Sequence, residues 1–102
     1  MWDVGGRYLF DPGKRGIERL NPGFFYVYIL RTETSPSHFY TGFTENLQAR
    51  LEHHNSGGDS HTAKYRPWCI KTAVAFTDRE QALAFERYLK SPSGRAFSKK
   101  RL

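Results

Sequence analysis

Apolar and polar positions alternate in three stretches of the chain, and each predicts a strand. From Phe24 to Arg31 the residues are aromatic and β-branched, a composition that suits a pleated, half-buried surface. Val27 and Ile29 share one face of that strand, and Tyr26, Tyr28 and Leu30 share the other. The polar run Thr32–Ser37, with Pro36, reads as a hairpin loop, and His38–Thr41 as a second strand that stops at Gly42. A hairpin centred near Thr34 sets Tyr28 opposite Tyr40 on one sheet face. Cys69–Phe76 is the third strand, with Ile70, Thr72, Val74 and Phe76 on one side.

Helical spacing fills the intervals. Thr44 reads as the cap of a first helix, with Glu45 in its first turn and a stop at Asn55-Ser56-Gly57-Gly58. A polar loop containing Pro67 follows. Asp78 and Gln81 form a capping-box pattern that opens a second helix to about Lys90, and Pro92 ends it. A short basic helix begins near Ser93. The expected fold is α+β: a small three-stranded antiparallel sheet flanked by helices, in the order β-β-α-β-α-α. Residues 1–23 hold five glycines and two prolines with little periodicity, and read as an extended or poorly ordered arm. The domain proper is expected over 24–102.

The apolar stripes contain polar residues. Leu47, Arg50, Leu51 and His54 fall at i, i+3, i+4 and i+7, so Arg50 and His54 are expected along the core-facing side of the first helix. Ala82, Phe85, Glu86 and Leu89 make the stripe of the second, which turns Glu86 toward the sheet. A carboxylate there needs a partner. Either it forms a buried ion pair with Arg50, or it ligates a hard divalent cation. Tyr28 and Tyr40 are open to two accounts as well, a cross-strand aromatic pair or part of a site. So is His54, as a hydrogen-bonded structural histidine or a reactive one.

At 102 residues there is room for one core. The single cysteine, Cys69, excludes an internal disulfide and a zinc knuckle. No apolar run is long enough to span a membrane, and no secretory pattern opens the chain, so a cytoplasmic, reducing setting is expected. The formal charge of +6 is uneven. Residues 61–102 hold ten bases and three acids, whereas residues 21–60 hold two bases and four acids. A basic C-terminal face suits a phosphate backbone, and equally a solubilising tail. Lys64, Arg66, Arg95, Lys99 and Lys100 are the candidate phosphate contacts, with Ser93 at the helix start, where free N–H groups bind anions.

Together these residues resemble the GIY-YIG nuclease family. Val27-Tyr28-Ile29 is similar to its first half-motif and Tyr40-Thr41-Gly42 to its second, with Val27 in the place of a glycine and Thr41 in the place of an isoleucine. The run from Tyr40 to Arg50 resembles the stretch from the second tyrosine to the catalytic arginine. His54 matches a histidine one turn further on, and Glu86 the metal-binding glutamate. No clear asparagine near the C-terminus matches one that many members carry. Arg66-Pro67-Trp68 and the segment from Lys90 to Phe97 look like small standalone bacterial members. Parts also resemble the nuclease half of a eukaryotic structure-specific endonuclease.

The resemblance implies a metal-dependent endonuclease that hydrolyses phosphodiester bonds in DNA, in repair or recombination. It implies one Mg²⁺ or Mn²⁺ on Glu86, Arg50 against the scissile phosphate, Tyr28 as general base aided by His54, and Tyr40 orienting the water. A free tyrosine is only about 0.1% ionised at neutral pH, so Tyr28 needs such aid. The expected partner is structured or damaged duplex DNA, with RNA left open, and the expected state a monomer or weak dimer without zinc. The alternative is a catalytically inert nucleic-acid-binding module on the same fold.

Overall fold

The computed structural model describes residues 2–3 and 23–102. The expected arm over 1–23 lies outside the described residues except at Trp2, Asp3 and Gly23. Three antiparallel strands form the body of the sheet: β2 (Phe25–Thr32), β3 (Phe39–Thr44) and β4 (Trp68–Phe76). A two-residue strand β1 (Trp2–Asp3) adds in parallel to the outer edge of β4, so the order is β1-β4-β2-β3. Among the described residues there are four helices: α1 (Leu47–Asn55), α2 (Ser60–Ala63), α3 (Arg79–Leu89) and α4 (Pro92–Arg101). The α+β class and the antiparallel three-strand core match the expectation. The four-residue α2 replaces part of the expected polar loop, because Asp59 caps it by accepting from the His61 N–H at 2.8 Å.

The sheet is covered on both faces. Val27 and Ile29 pack with Phe76, Ala82 and Leu89 on the side of α3, where Leu102 also packs. Tyr28 and Leu30 pack with Leu47 and Trp68 on the side of α1. The period-2 split of β2 therefore feeds two separate apolar clusters, which explains its unbroken run of buried residues from Val27 to Leu30.

Three local expectations are corrected. Tyr28 pairs with Gly42 and Leu30 with Tyr40, so the hairpin turns one residue later than Thr34 and Gly42 lies inside β3. The shift is even in register, so Tyr28 and Tyr40 keep a common face. The α1 cap is Asn46, whose side chain accepts from the Ala49 N–H at 3.0 Å, and no acid occupies the first turn. Thr44 instead holds the cap residue, its hydroxyl accepting from the Asn46 N–H at 3.1 Å. Finally, β4 carries a bulge: Ile29 pairs with Thr72 and Leu30 with Ile70, leaving Lys71 without a partner. The alternation breaks there. Thr72 and Val74 face α3, while Ile70 follows Leu30 to the opposite face and stays exposed.

Two contacts set the helices that carry the candidate residues. Asn55, the last residue of α1, donates to the Trp68 carbonyl at 2.9 Å and accepts from the Trp68 N–H at 2.6 Å. Its side-chain amide thus stands in for a strand neighbour and ties α1 to β4. At the other end, the Thr72 hydroxyl donates to the Leu102 carbonyl at 2.7 Å and moors α4 to the sheet.

Candidate active site

Tyr28, Tyr40 and His54 come together on the α1 face. Tyr28 is 2% exposed and His54 1% exposed. The Tyr28 hydroxyl lies 3.1 Å from His54 Nε2, and His54 Nδ1 lies 2.8 Å from the Thr62 hydroxyl. The Thr62 hydroxyl in turn donates to the Asp59 carbonyl at 3.4 Å. A hydroxyl that donates to a carbonyl must accept at its other contact. His54 therefore carries its proton on Nδ1 and offers Nε2 to the Tyr28 phenol. The Tyr40 ring centres 4.8 Å from the imidazole and 6.2 Å from the Tyr28 ring.

Gly42 makes this arrangement possible. A Cβ at that position would lie 2.6 Å from Tyr28 Cζ and against the phenol oxygen. The glycine of the second half-motif is thus the floor on which the first motif's tyrosine lies.

Both ionisable groups of the relay are held neutral. Burial raises the Tyr28 pKa above its ordinary value of 10.0; Tyr40, Glu86 and Asp59 push the same way, and Arg50 opposes them. Burial also lowers the His54 pKa below 6.5, with His53 and Arg50 adding to that and Asp59 opposing it.

Arg50 departs from the expected position. It is exposed on α1, although Leu47 and His54 of the same stripe are buried. Its side chain is long enough to leave the apolar side for solvent. Glu86 is half-withdrawn, its side chain 18% exposed, and Lys90 one turn on holds it at 3.2 Å. The expected ion pair between Glu86 and Arg50 is therefore replaced by a local i,i+4 pair. Among the described residues no three His, Cys, Asp or Glu side chains converge as metal ligands. Glu86 is a lone hard oxygen donor. That donor suits an ion of the Mg²⁺ kind, which keeps several waters and takes one or two carboxylates plus substrate phosphate.

The basic candidates divide between two sides. Lys64 lies over the Tyr65 ring at 5.1 Å, and Arg66 Nε donates to the Ala63 carbonyl at 2.7 Å, both beside α2. Arg95 and Lys99 line a cleft of about 910 Å³ against Ile29 and Leu89 on the other face, and Lys100 is exposed on α4. Ser93 lies exposed in the first turn of α4, its hydroxyl 3.3 Å from that of the cap residue Ser91. Sequence reasoning missed Thr62 and Asp59. The Asp59-Ser60 start after two glycines is a helix-cap signal that leads to both. No helix among the described residues is long and apolar enough to cross a membrane.

The family model of the GIY-YIG catalytic domain matches residues 24–101. Among characterised proteins, the chain is similar to the structure-specific endonuclease subunit SLX1 of Debaryomyces hansenii, 40% identical over 80 residues, which is 72% of this chain and 23% of that protein. It is 41% identical over 71 residues to the slx1 subunit of Talaromyces marneffei, covering 64% of this chain and 18% of that one. The SLX1 homolog of Giardia intestinalis is 39% identical over 70 residues, 63% of this chain and 20% of that one. The chain thus spans about a fifth of the length of these relatives. No solved structure matches it. The matched span holds both tyrosine half-motifs, the relay through His54 and the helix that carries Glu86, and on that ground the chain belongs to the GIY-YIG nuclease family.

Proposed function

We propose that this chain is a metal-dependent endonuclease that hydrolyses phosphodiester bonds in structured DNA during repair or recombination. The observation that carries this is the relay Tyr28–His54–Thr62, buried against Tyr40. A buried phenol needs an acceptor in any case, and an imidazole is an acceptor that can also take up the phenol's proton.

The relay answers the difficulty of a tyrosine base. The phenol is neutral at rest, so no tyrosinate is required. As a water attacks phosphorus, its proton passes to the Tyr28 oxygen while the phenol's own proton passes to His54 Nε2. The imidazolium so formed keeps its Nδ1–H on Thr62. Tyr40, its ring tilted 58° to the imidazole, fixes the approach of the water. Arg50, free of buried partners, offers its fork of donors to a phosphate oxygen. Glu86 would hold a divalent ion, Mg²⁺ or Mn²⁺, which would supply neutralisation of the charge developing at the phosphate. Lys90 holds the Glu86 carboxylate in place until then. Lys64, Arg66, Arg95, Lys99 and Lys100 supply the sequence-independent phosphate contacts, and Ser93 a hydroxyl at the start of α4.

The test is cleavage of labelled duplex, flapped and branched DNA, and of matching RNA, with and without Mg²⁺ or Mn²⁺. Cleavage of DNA that needs the ion and is lost in Glu86→Gln supports the proposal. A folded chain that binds every substrate and cuts none with either ion is an inert binding module.

A further inference from the structure

On the face of the sheet opposite Tyr28, the chain exposes a large aromatic ring beside concentrated positive charge. Phe39 is 58% exposed at the start of β3, the edge strand. Lys71, the residue that the β4 bulge leaves without a partner, places its ammonium 5.6 Å from the centre of the Phe39 ring. Bulges re-aim side chains, and this one aims a cation at an exposed aromatic face. Both residues line the 910 Å³ cleft, together with Arg95 and Lys99, and with Lys90, which is paired with Glu86 at 3.2 Å.

The chemistry selects the ligand. A duplex backbone offers phosphates and sugars and keeps its base faces stacked inside. It uses the cations and leaves Phe39 idle. An acidic peptide offers carboxylates to the cations, and meets the ring only where it happens to carry an aromatic residue of its own. A strand with unpaired bases supplies both partners, phosphates for the cations and a π-face for Phe39. The position agrees. Tyr40 and Phe39 are neighbours on β3 whose side chains leave opposite faces, and Tyr40 also lines the cleft. A strand held at the catalytic tyrosines therefore passes over the edge of β3 into the cleft.

We propose that Phe39 is a stacking platform for an unpaired base, and that Lys71, Arg95 and Lys99 hold the phosphates of the same single strand. The inference rests on the endonuclease reading only in taking that strand to be an unpaired arm of the substrate. It is tested by fluorescence anisotropy in EDTA, so that binding is read whether or not the chain cuts. The probes are a blunt hairpin duplex and the same duplex carrying a short single-stranded oligothymidine arm. The wild type binds the armed probe more tightly. Phe39→Ala lowers the armed-to-blunt preference by roughly 5- to 150-fold, which is 1–3 kcal/mol of stacking per base at 1.4 kcal/mol per tenfold. Phe39→Trp retains the preference, and Phe39→Leu, apolar but without a π-face, loses it. Circular dichroism checks that each variant is folded, as expected for an exposed edge position. An unchanged preference in folded Phe39→Ala, or equal binding of both probes by the wild type, overturns the assignment.

Discussion

Removing one oxygen from Tyr28 strips a buried imidazole of its partner. In Tyr28→Phe the ring still packs over Gly42, but His54 Nε2, in a residue 1% exposed, has nothing to accept from. An unsatisfied buried acceptor costs about 1–3 kcal/mol. For a domain of this size that lowers Tm by at least about 4 °C. The stability loss thus exceeds what an aromatic cross-strand pair alone implies, below about 1 kcal/mol. The rate loss is separate. Without the phenol the water's proton has no route to His54, and a general base is worth about 10²-fold or more. Single-turnover cleavage well below Tm, beside a thermal melt, reads the two effects independently. A second variant sharpens the result. Tyr28→Phe combined with His54→Leu removes both polar partners, and such paired removal is nearly neutral in stability. Stability then recovers while cleavage stays lost. Wild-type cleavage by folded Tyr28→Phe refutes the relay.

Gly42→Ala drives a methyl against the Tyr28 phenol, so it should abolish cleavage and lower Tm, both read on the purified variant. Acidification should act through His54. Its folded pKa is depressed, so the unfolded chain binds the proton first. Its contribution to stability is fully present above pH 6.5 and is lost as pH falls below 6.5 toward the folded pKa; denaturant melts of wild type and His54→Gln across that window should converge at low pH. Neutralising Arg95 and Lys99 together should flatten the salt dependence of binding to the single-stranded arm by about 1.4 units, at ~0.7 per phosphate contact on a single strand. A slope unchanged in titrations at several salt concentrations removes that face from the binding surface.

What was legible in the chain depended on how far each signal reaches. Alternation along β2 placed Tyr28 and Leu30 on one face and Val27 and Ile29 on the other, and the structure gives each pair its own cluster. Register was less legible because it is set in the loop. There Thr32 accepts from the His38 N–H through its side chain at 2.9 Å and donates its own N–H to the His38 carbonyl at 3.0 Å, moving the turn by one residue. The β4 bulge left no mark in the sequence, since Ile70 continues the apolar alternation that the backbone breaks. The site residues were placed unevenly. His54 is buried as its stripe predicts, whereas Arg50 on the same stripe reaches solvent. Helical spacing fixes where a Cβ points, and a long side chain is free to end elsewhere. Thr62 stayed hidden because four residues are too few for periodicity, and its role appears only when α2 folds back on α1.

The Asn55 clamp on Trp68 closes the intervening segment as a self-contained excursion. Both ends are pinned by side chain to backbone. Within the excursion Thr62 bonds to His54, the Trp68 indole donates to the Thr62 carbonyl at 2.9 Å, and Tyr65 packs against the Tyr28 cluster and stacks on His38 with ring centres 4.0 Å apart. None of those contacts involves Gly57 or Gly58, so an insertion at that corner would leave the pairing of β2, β3 and β4 in place and alter only the wall beside the tyrosines.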